Sequence, residues 1–361
     1  MQVHHAEEAL GLVLQLDEVA HGPQVVAQGD PAGGLHARED DLDRLGAHEL
    51  DHSFARSVVG KDSYSWPAPD NPGGSHFVKW LVFPEPAISR GGCARVKRRH
   101  FLVRAAVGLI GLTLGLTGYG RFVETRRVRF EERTAAVPGL PRHLEGYTIG
   151  VLSDLHVGPT TPAAWVRRVV EQLAERRPDL VVAVGDFIGS HDHVAEANWC
   201  LEPVQGALGV LGNWDYYDGR IRKALTNVRL LENRGVLVAD GLWVGGVDEP
   251  ALGKPDVDLA LSGAPPGAVR ILLCHEPDYA DALVRPEHRV ALMISGHSHG
   301  GQVRLPVVGP LILPPGGRKY HTGFYQAAHC RVYTSRGVGT AHLPIRLFCP
   351  PEVTLLRLVP Q

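Results

Sequence analysis

Cysteine is scarce in this chain of 361 residues, and its positions exclude most thiolate chemistry. The five cysteines are odd in number and form no C-x-x-C pair. Neither a disulfide framework nor a thiolate zinc site is therefore predicted. The cysteines are Cys93, Cys200, Cys274, Cys330 and Cys349.

An excess of charge of either sign is also missing. The chain has 37 Lys and Arg against 39 Asp and Glu, which gives a net charge of -2. It contains no RNP-like aromatic motif and no zinc-finger spacing, so nucleic acid is not indicated as a partner. No internal repeat is found. With 44% hydrophobic residues, the chain is long enough for one large domain and additional segments.

Five short polar blocks do occur, in order, between residues 153 and 299: S-D-L-H, V-G-D, G-N-W-D, C-H-E-P and S-G-H-S-H. Together they offer enough carboxylate, amide and imidazole groups for two metal ions. This ligand set favours Mn, Fe or Zn, and we expect Mn. The sequence therefore predicts a metal-assisted hydrolase. The candidate ligands are Asp154, His156, Asp186, Asn213, His275, His297 and His299.

Apolar runs that resemble buried strands precede most of these blocks. Residues 148–153, 180–184, 271–274 and 291–295 each lead into a candidate ligand, and a shorter strand is predicted near 207–211. Such runs suit an α/β protein, in which binding groups lie on loops at strand ends. Further predictions are helices at about 162–176, 194–201 and 278–284, a hairpin around Asp240-Gly241, and strands near residues 303, 331 and 353.

A centre with two metals needs a bridging carboxylate, and Asp186 is the natural candidate. We expect Asp154, His156 and His299 to bind one metal. Asn213, with His275 and His297, would bind the other. A hydroxide shared by the two metals would then attack phosphorus. Asp154, Asp186 and Asn213 would act in catalysis by holding it.

The five blocks resemble the pattern of the calcineurin-like metallophosphoesterases, which is D-x-H, G-D, G-N-H-D/E, H and G-H-x-H. The resemblance covers most of residues 146–358. The segments S-G-H-S-H-G-G-Q-V-R-L-P and S-R-G-V-G-T further resemble the bacterial branch of exported or membrane-attached phosphodiesterases. The resemblance to this family implies a four-layer αββα sandwich of two mixed sheets, with the dimetal site at the strand ends. The ligand roles given above agree with those of the family.

Trp214 is a departure from this pattern, because the family places a general-acid His after the Asn. An indole donates a hydrogen bond but delivers no proton at neutral pH. We therefore predict a preference for good leaving groups, such as pyrophosphate-linked or aryl esters. His191 and His193, in G-S-H-D-H, either replace the missing His or are ordinary solvent-facing residues, which we favour. Asp215 either supports catalysis or caps the following turn.

Glycine accompanies the candidate ligands. Gly185, Gly212 and Gly296 let the backbone turn sharply or approach the metals closely. The pair Gly300-Gly301 either shapes a phosphate pocket or forms a tight turn.

The first 145 residues divide into three segments. Residues 1–95 lack apolar periodicity, and they represent either an unstructured extension or a start codon placed too far upstream of Val96. Residues 96–120 contain K-R-R-H-F-L-V-R and then an apolar stretch at 105–116. This pattern resembles a twin-arginine signal or a membrane anchor, although about 12 to 16 apolar residues are short for a spanning helix. Residues 121–145 are a connector that is either basic and close to the membrane or a solvated strand face.

The sequence thus predicts a metallophosphoesterase domain at 146–361, located at the cell membrane or outside the cytoplasm. If residues 1–95 are genuine, a cytoplasmic location follows. We expect a phosphodiesterase that acts on lipid-linked or nucleotide-sugar substrates similar to UDP-diacylglucosamine. The alternatives are a phosphomonoesterase or phosphoprotein phosphatase, and a metal-binding protein that lost turnover because of Trp214.

Overall fold

The computed structural model of the protein describes residues 98–216, 219–282 and 285–361. The predictions for residues 1–95 lie outside the described residues, as do those for residues 96 and 97. The described residues belong to one compact unit, Arg90–Gln361.

The first sheet has six strands, and it carries the early part of the candidate site. In chain order they are β1 (Arg129–Val137), β2 (Thr148–Leu152), β3 (Leu180–Val184), β4 (Ala207–Val210), β5 (Val228–Leu230) and β14 (Glu352–Pro360). Their order in the sheet is β1-β14-β2-β3-β4-β5. Strands β2 to β5 are parallel, and β14 is antiparallel to β2 and parallel to β1.

The second sheet also has six strands and carries the late part of the site. They are β6 (Arg234–Ala239), β7 (Leu242–Gly246), β8 (Val269–Leu273), β9 (Val290–Ser295), β12 (Gly323–Gln326) and β13 (Arg331–Thr334). Their order is β12-β13-β9-β8-β7-β6, and a separate pair is formed by β10 (Arg304–Leu305) and β11 (Gly309–Pro310). The predicted hairpin around Asp240-Gly241 is confirmed by antiparallel pairing of β6 with β7.

A helix is observed at each of the three predicted positions, and at two of them it is an α-helix. The α-helices are α1 (Arg98–Phe122), α2 (Ala163–Glu175), α3 (Val194–Leu201), α4 (Asn213–Tyr216), α5 (Ile221–Ala224) and α6 (Val257–Leu261). The helix predicted at 278–284 is observed in its described part as the 3-10 helix Pro277–Ala282. The Asp278 carboxylate accepts backbone hydrogen bonds from Arg318, Lys319 and Tyr320. This segment is therefore tied to a neighbouring loop.

Three apolar layers separate the sheets and helices, which confirms the four-layer sandwich. The middle layer alternates along each strand: Ile149 and Val151 of β2 meet Ile271 and Leu273 of β8 between the sheets. The outer face of the first sheet packs against α2 and α3. On the other side, α6 covers the outer face of the second sheet. Because both faces of each sheet are covered, the polar ligands are left to the strand ends.

The predicted connector 121–145 contains a strand of the first sheet. Strand β1 pairs with β14 along nine residues, from Arg129 with Glu352 to Val137 with Pro360. This segment was predicted as either a basic connector or a strand face, and the strand is observed. The first sheet thus includes residues that precede the predicted domain start at 146.

Helix α1 is longer than its apolar stretch suggested. It spans 25 residues. In the described part of the chain, its length and composition are those of a helix that could cross a membrane. The side chains of Phe101, Val107, Leu109 and Leu114 are exposed along it. Only Gly120 of this helix is buried.

Candidate metal centre

The seven predicted ligands converge at one edge of the sandwich, because each follows the carboxyl end of a parallel strand. The first sheet contributes the loops after β2, β3 and β4, and the second sheet contributes those after β8 and β9. Backbone bonds join these loops: Asp154 N donates to Gly185 O (3.0 Å), and Gly296 N donates to His275 O (3.0 Å). Every predicted ligand therefore lies within this cluster of loops.

One group of three ligands lies on the side of β2. Asp154, His156 and His299 are buried, and each offers a ligand atom within 4.8 Å of the others. The Nε2 atoms of His156 and His299 are 3.0 Å apart, and His299 Nε2 is 3.6 Å from Asp154 Oδ1. Two imidazole nitrogens and a carboxylate oxygen facing one point form a candidate site for a divalent ion.

A second group lies on the side of β8. Asp186, His275 and His297 are also buried, and each offers a ligand atom within 4.8 Å of the others. His297 Nδ1 is 3.2 Å from His275 Nε2 and 3.1 Å from Asn213 Oδ1. The amide oxygen of Asn213 thus joins this group, as the sequence predicted.

Asp186 stands between the two groups. Its Oδ2 atom is 3.4 Å from His156 Nε2 and 3.3 Å from His275 Nε2. Its Oδ1 atom accepts a hydrogen bond from the backbone of Trp214 (2.9 Å). This carboxylate is therefore placed where a bridge between two metals is required.

Backbone carbonyls set which imidazole nitrogen faces the second group. His275 Nδ1 donates to Val184 O (2.7 Å), which leaves Nε2 available as a ligand. His297 makes the opposite choice: its Nε2 donates to Pro315 O (2.7 Å) and its Nδ1 faces the site. Such outer hydrogen bonds fix the tautomer and orientation of metal-binding histidines.

Burial and mutual charge shift the titration of this cluster. Burial raises the pKa of Asp154 to about 6 and lowers the pKa of both His156 and His297 to about 4. Burial also opposes the charge of His275, but the Asp186 carboxylate raises the pKa of this imidazole to about 10. His275 in turn lowers the pKa of Asp186 to about 2, against the effect of burial. The metal-free pair is therefore ionic at neutral pH, and a metal must displace its proton.

The backbone is left-handed at five of the seven ligands. The φ angles at these positions lie between 44° and 68°. Outside glycine this conformation is uncommon, and it concentrates at functional sites. The five residues are Asp154, His156, Asp186, His297 and His299.

All three predicted glycines are required by close approach, since a Cβ atom at Gly212 would overlap Asp186 Oδ1. A Cβ atom at Gly185, where φ is 85°, would lie 2.5 Å from His275 Nδ1. A Cβ atom at Gly296 would lie 2.6 Å from Asp154 Oδ2 and would overlap Ser153 Oγ. The three positions let the loops meet around the candidate ligands, as the sequence predicted.

Trp214 occupies the outer side of the first group. Its ring contacts that of His156 edge to face, with centroids 5.1 Å apart. Asp215, directly after it, is fully buried and accepts backbone hydrogen bonds from Phe187 (2.8 Å), Ile188 (3.2 Å) and Gly212 (3.0 Å). Asp215 thus has a structural role, since it ties the loop of Asp186 to that of Asn213.

The histidine next to Trp214 is His342, which is neither of the two that the sequence suggested. The ring of His342 lies 5.3 Å from the Trp214 ring, and this residue is exposed. His191 and His193 lie in a 3-10 helix after β3, where the backbone carbonyl of His191 accepts a hydrogen bond from Arg220 (3.1 Å). His342 was missed because it lies in A-H-L-P-I-R, outside all five blocks.

Arg346 was also missed, and it supports the first group from behind. Its side chain is fully buried, with Nη2 donating to Gly339 O (2.7 Å) and Arg336 O (2.8 Å). The same nitrogen is 3.3 Å from His299 Nδ1. Burial and then the charges of His156 and Arg346 lower the pKa of His299 well below its usual range. His299 is thus neutral, the form that binds metal.

Comparisons with known proteins agree with this geometry. Residues 147–301 match the family model described as calcineurin-like phosphoesterase. An uncharacterized metallophosphoesterase of Bacillus subtilis, YkuE, is 33% identical over 282 residues, which cover 73% of this chain and 98% of the relative. The phosphodiesterase YaeI of Escherichia coli is 26% identical over 294 residues, or 73% of this chain and all of YaeI.

A vertebrate relative is similar over a comparable length. The transmembrane protein with metallophosphoesterase domain of Danio rerio is 28% identical over 275 residues, which cover 70% of this chain and 62% of that protein. The matched family model begins just before β2 and ends just after His299, so it contains all seven candidate ligands. This chain belongs to the calcineurin-like metallophosphoesterase family.

Proposed function

We propose that this protein is a phosphodiesterase that depends on two divalent metal ions. The observation that carries the proposal is the position of Asp186, whose Oδ2 atom lies within 3.4 Å of one histidine from each ligand group. A single carboxylate between two nitrogen-rich groups is the arrangement that a two-metal hydrolase requires. Asp154, Asp186 and Asn213 would therefore serve catalysis as metal ligands.

The residues present fit divalent ions with mixed nitrogen and oxygen preference. Four imidazoles, two carboxylates and one amide favour Mn, Fe or Zn, and we propose Mn. When bound, such ions stabilise charge on the phosphoryl group and lower the pKa of water. The protein orients these ligands through the carbonyls of Val184 and Pro315. It also shields Asp154 and His156 from solvent, since both are almost completely buried.

Trp214 defines which esters we expect to be cleaved. The indole N–H gives the site a donor but no acid, so the departing oxygen must leave as an anion or take a proton from elsewhere. We therefore propose that pyrophosphate-linked and aryl esters are better substrates than simple alkyl esters. His342, next to Trp214, is the imidazole that the structure offers for partial replacement of the acid.

We further propose that α1 holds the protein at a membrane and that the substrate is lipid-linked, or a nucleotide sugar similar to UDP-diacylglucosamine. Support comes from the exposed apolar side chains of α1. Its C-terminal end is also joined to the domain: Arg346 N donates to Gly120 O (3.2 Å), and Cys349 N donates to the Glu124 carboxylate (2.6 Å). A segment packed in this way is better suited to an anchor than to a cleaved signal.

Two other functions fit the same ligands. A phosphomonoesterase or phosphoprotein phosphatase would use the same centre on a different ester. A metal-binding protein without turnover would keep the ligands and owe its inactivity to Trp214. Substrate comparison separates the first from a phosphodiesterase, and metal content measured together with turnover separates the second.

The experiment uses the full chain loaded with Mn²⁺ and bis-p-nitrophenyl phosphate as substrate. We expect hydrolysis with two metals bound per chain. Asp186→Asn should lose both the hydrolysis and the bound metals. Asp240→Asn is the matched control, because the Asp240 side chain is exposed in the turn between β6 and β7. Two bound metals with no hydrolysis under any divalent ion would support the inactive alternative instead.

A further inference from the structure

An apolar hairpin projects from the domain directly after the last candidate ligands. It comprises residues 303–312 and contains the β10–β11 pair. Its apolar side chains are exposed, and Val307 at its tip is completely so. Exposed apolar groups of this number mark a surface that contacts a membrane or another protein. They are Leu305, Val307, Val308, Leu311 and Ile312.

Backbone bonds join this hairpin to a second exposed apolar segment, residues 341–349. Arg304 N donates to Leu347 O (2.9 Å), and Leu347 N donates to Gln302 O (3.0 Å). Leu343 and Phe348 are exposed on this segment. The two segments therefore form one surface, which we call the apolar platform.

The apolar platform continues into the end of α1. A Cβ atom at Gly120 would lie 2.7 Å from Arg346 O and 2.9 Å from the side chain of Ile345, so the helix is in direct contact with the second segment. Phe122 and Val123 are exposed at this junction. The 20 residues from Phe101 to Gly120 would extend about 30 Å as a helix, which matches the hydrocarbon core of a bilayer. Gly120 would then lie at the membrane surface.

Charge complements this placement. Residues 303–312 and 341–349 contain no acidic residue, and the hairpin carries the half-buried Arg304. Arg121, Arg126 and Arg127 follow at the end of α1. Basic residues beside apolar groups are the pattern of proteins that lie on anionic lipid. A bilayer that accepts α1 therefore meets a surface suited to its headgroups.

We propose that the apolar platform inserts into the lipid bilayer and places the metal centre against the headgroup layer. This inference rests on the proposed membrane anchoring by α1. The ligand His299 lies three residues before Gln302, whose side chain bonds Ala341 and Leu343, and His342 between them contacts Trp214. The substrate class that fits is a phosphoester in the headgroup of a membrane lipid, reached without leaving the bilayer.

The experiment measures how deep the hairpin tip lies. The full chain, with Cys93→Ser to remove the cysteine outside the described residues, receives Val307→Cys labelled with the fluorophore NBD. It is reconstituted in vesicles of phosphatidylglycerol and phosphatidylcholine with and without doxyl-labelled lipid as a quencher. Parallel samples carry NBD at Leu109→Cys within α1 and at Leu259→Cys, which is exposed on α6. The four described native cysteines are buried.

We expect a blue shift and quenching by doxyl lipid at positions 307 and 109, with neither at position 259. Quenching at 109 with a water-like signal at 307 would overturn the inference and leave the anchor intact. No quenching at 109 would overturn the anchor itself. A blue shift of NBD at position 307 in the absence of lipid would instead show that another part of the chain covers the platform. A blue shift that grows with protein concentration would show that a second copy covers it.

A variant provides a second test. Val307→Ser with Val308→Ser is expected to reduce quenching of NBD at Leu343→Cys in vesicles, because the neighbouring hairpin no longer holds the platform in the bilayer. Hydrolysis of bis-p-nitrophenyl phosphate in detergent should stay unchanged, since neither valine contacts a ligand. Undiminished quenching at position 343 would contradict the role of the hairpin.

Discussion

Replacing Trp214 by His should restore an acid at the position where the family has one. The backbone at this position is fixed, because Trp214 N donates to Asp186 Oδ1 (2.9 Å), so the new imidazole would lie beside the same ligand group. The smaller ring fits the space without overpacking. It changes the indole contacts with His156 and His342, each worth about 0.5 to 1.5 kcal/mol.

The new imidazole is expected to lower the activation barrier of the reaction. General acid catalysis contributes about 100- to 10,000-fold, which corresponds to about 2.7 to 5.4 kcal/mol of barrier. We predict that Trp214→His raises kcat for an alkyl diester such as glycerophosphoethanolamine by about 100-fold or more. For bis-p-nitrophenyl phosphate, whose leaving group needs no proton, the change should be less than about tenfold.

The assay compares the two substrates with the Mn²⁺-loaded wild type and Trp214→His. Trp214→Phe serves as the control, because it removes the indole N–H without adding an acid. His342→Ala in the wild type shows how much of the remaining alkyl turnover depends on that imidazole. Equal acceleration of both substrates by Trp214→His, or equal turnover of both by the wild type, would refute the reasoning.

Three further outcomes follow from the contacts of the site. Because Asp186 faces both ligand groups, Asp186→Asn should lower the metal content from two ions per chain toward zero, as measured by mass spectrometry, whereas retention of both ions would contradict a bridging role. The pKa of His275 is raised to about 10 in the metal-free protein, so this residue is protonated at neutral pH and metal binding must release its proton. Below that pKa, the apparent metal affinity should then increase by up to about tenfold for each unit of increase in pH. Calorimetry in buffers of different ionisation enthalpy would detect the released proton. Asp215→Ala leaves three backbone N–H groups without their acceptor and should reduce the free energy of unfolding by about 3 kcal/mol, with an unchanged Tm arguing against the structural role.

The ligand-bearing strands were predictable because their apolar runs are sharply bounded. One such run contains the strand Thr148–Leu152. Another is the strand Leu180–Val184, which is followed at once by Gly185 and Asp186. The middle of each sheet is covered on both faces, so these strands are apolar throughout and stand out in the sequence. The candidate ligands could be picked out for the same reason, as they lie within a few residues of the ends of these runs.

Strand β1 was harder to recognise because its sequence, R-F-E-E-R-T-A-A-V, is largely charged. It lies at the edge of the sheet, where one side of the strand is open and charged residues are tolerated. Glu131 and Glu352 share the guanidinium of Arg336, a partnership across the fold that no local pattern contains. The buried Arg346 and the contact of His342 with Trp214 were hidden for the same reason.

The left-handed backbone at Asp154, His156, Asp186, His297 and His299 restricts which residues can serve as ligands there. Asp, Asn and His tolerate this conformation better than most other side chains, so the local geometry selects the same residue types that the metals require. Glutamate offers an equivalent carboxylate, yet it lacks this tolerance and none of the seven positions carries it. An exchange such as Asp154→Glu would therefore be penalised in the backbone before any metal is added. The choice of residue types at these candidate ligand positions is a property of chain conformation as well as of coordination chemistry.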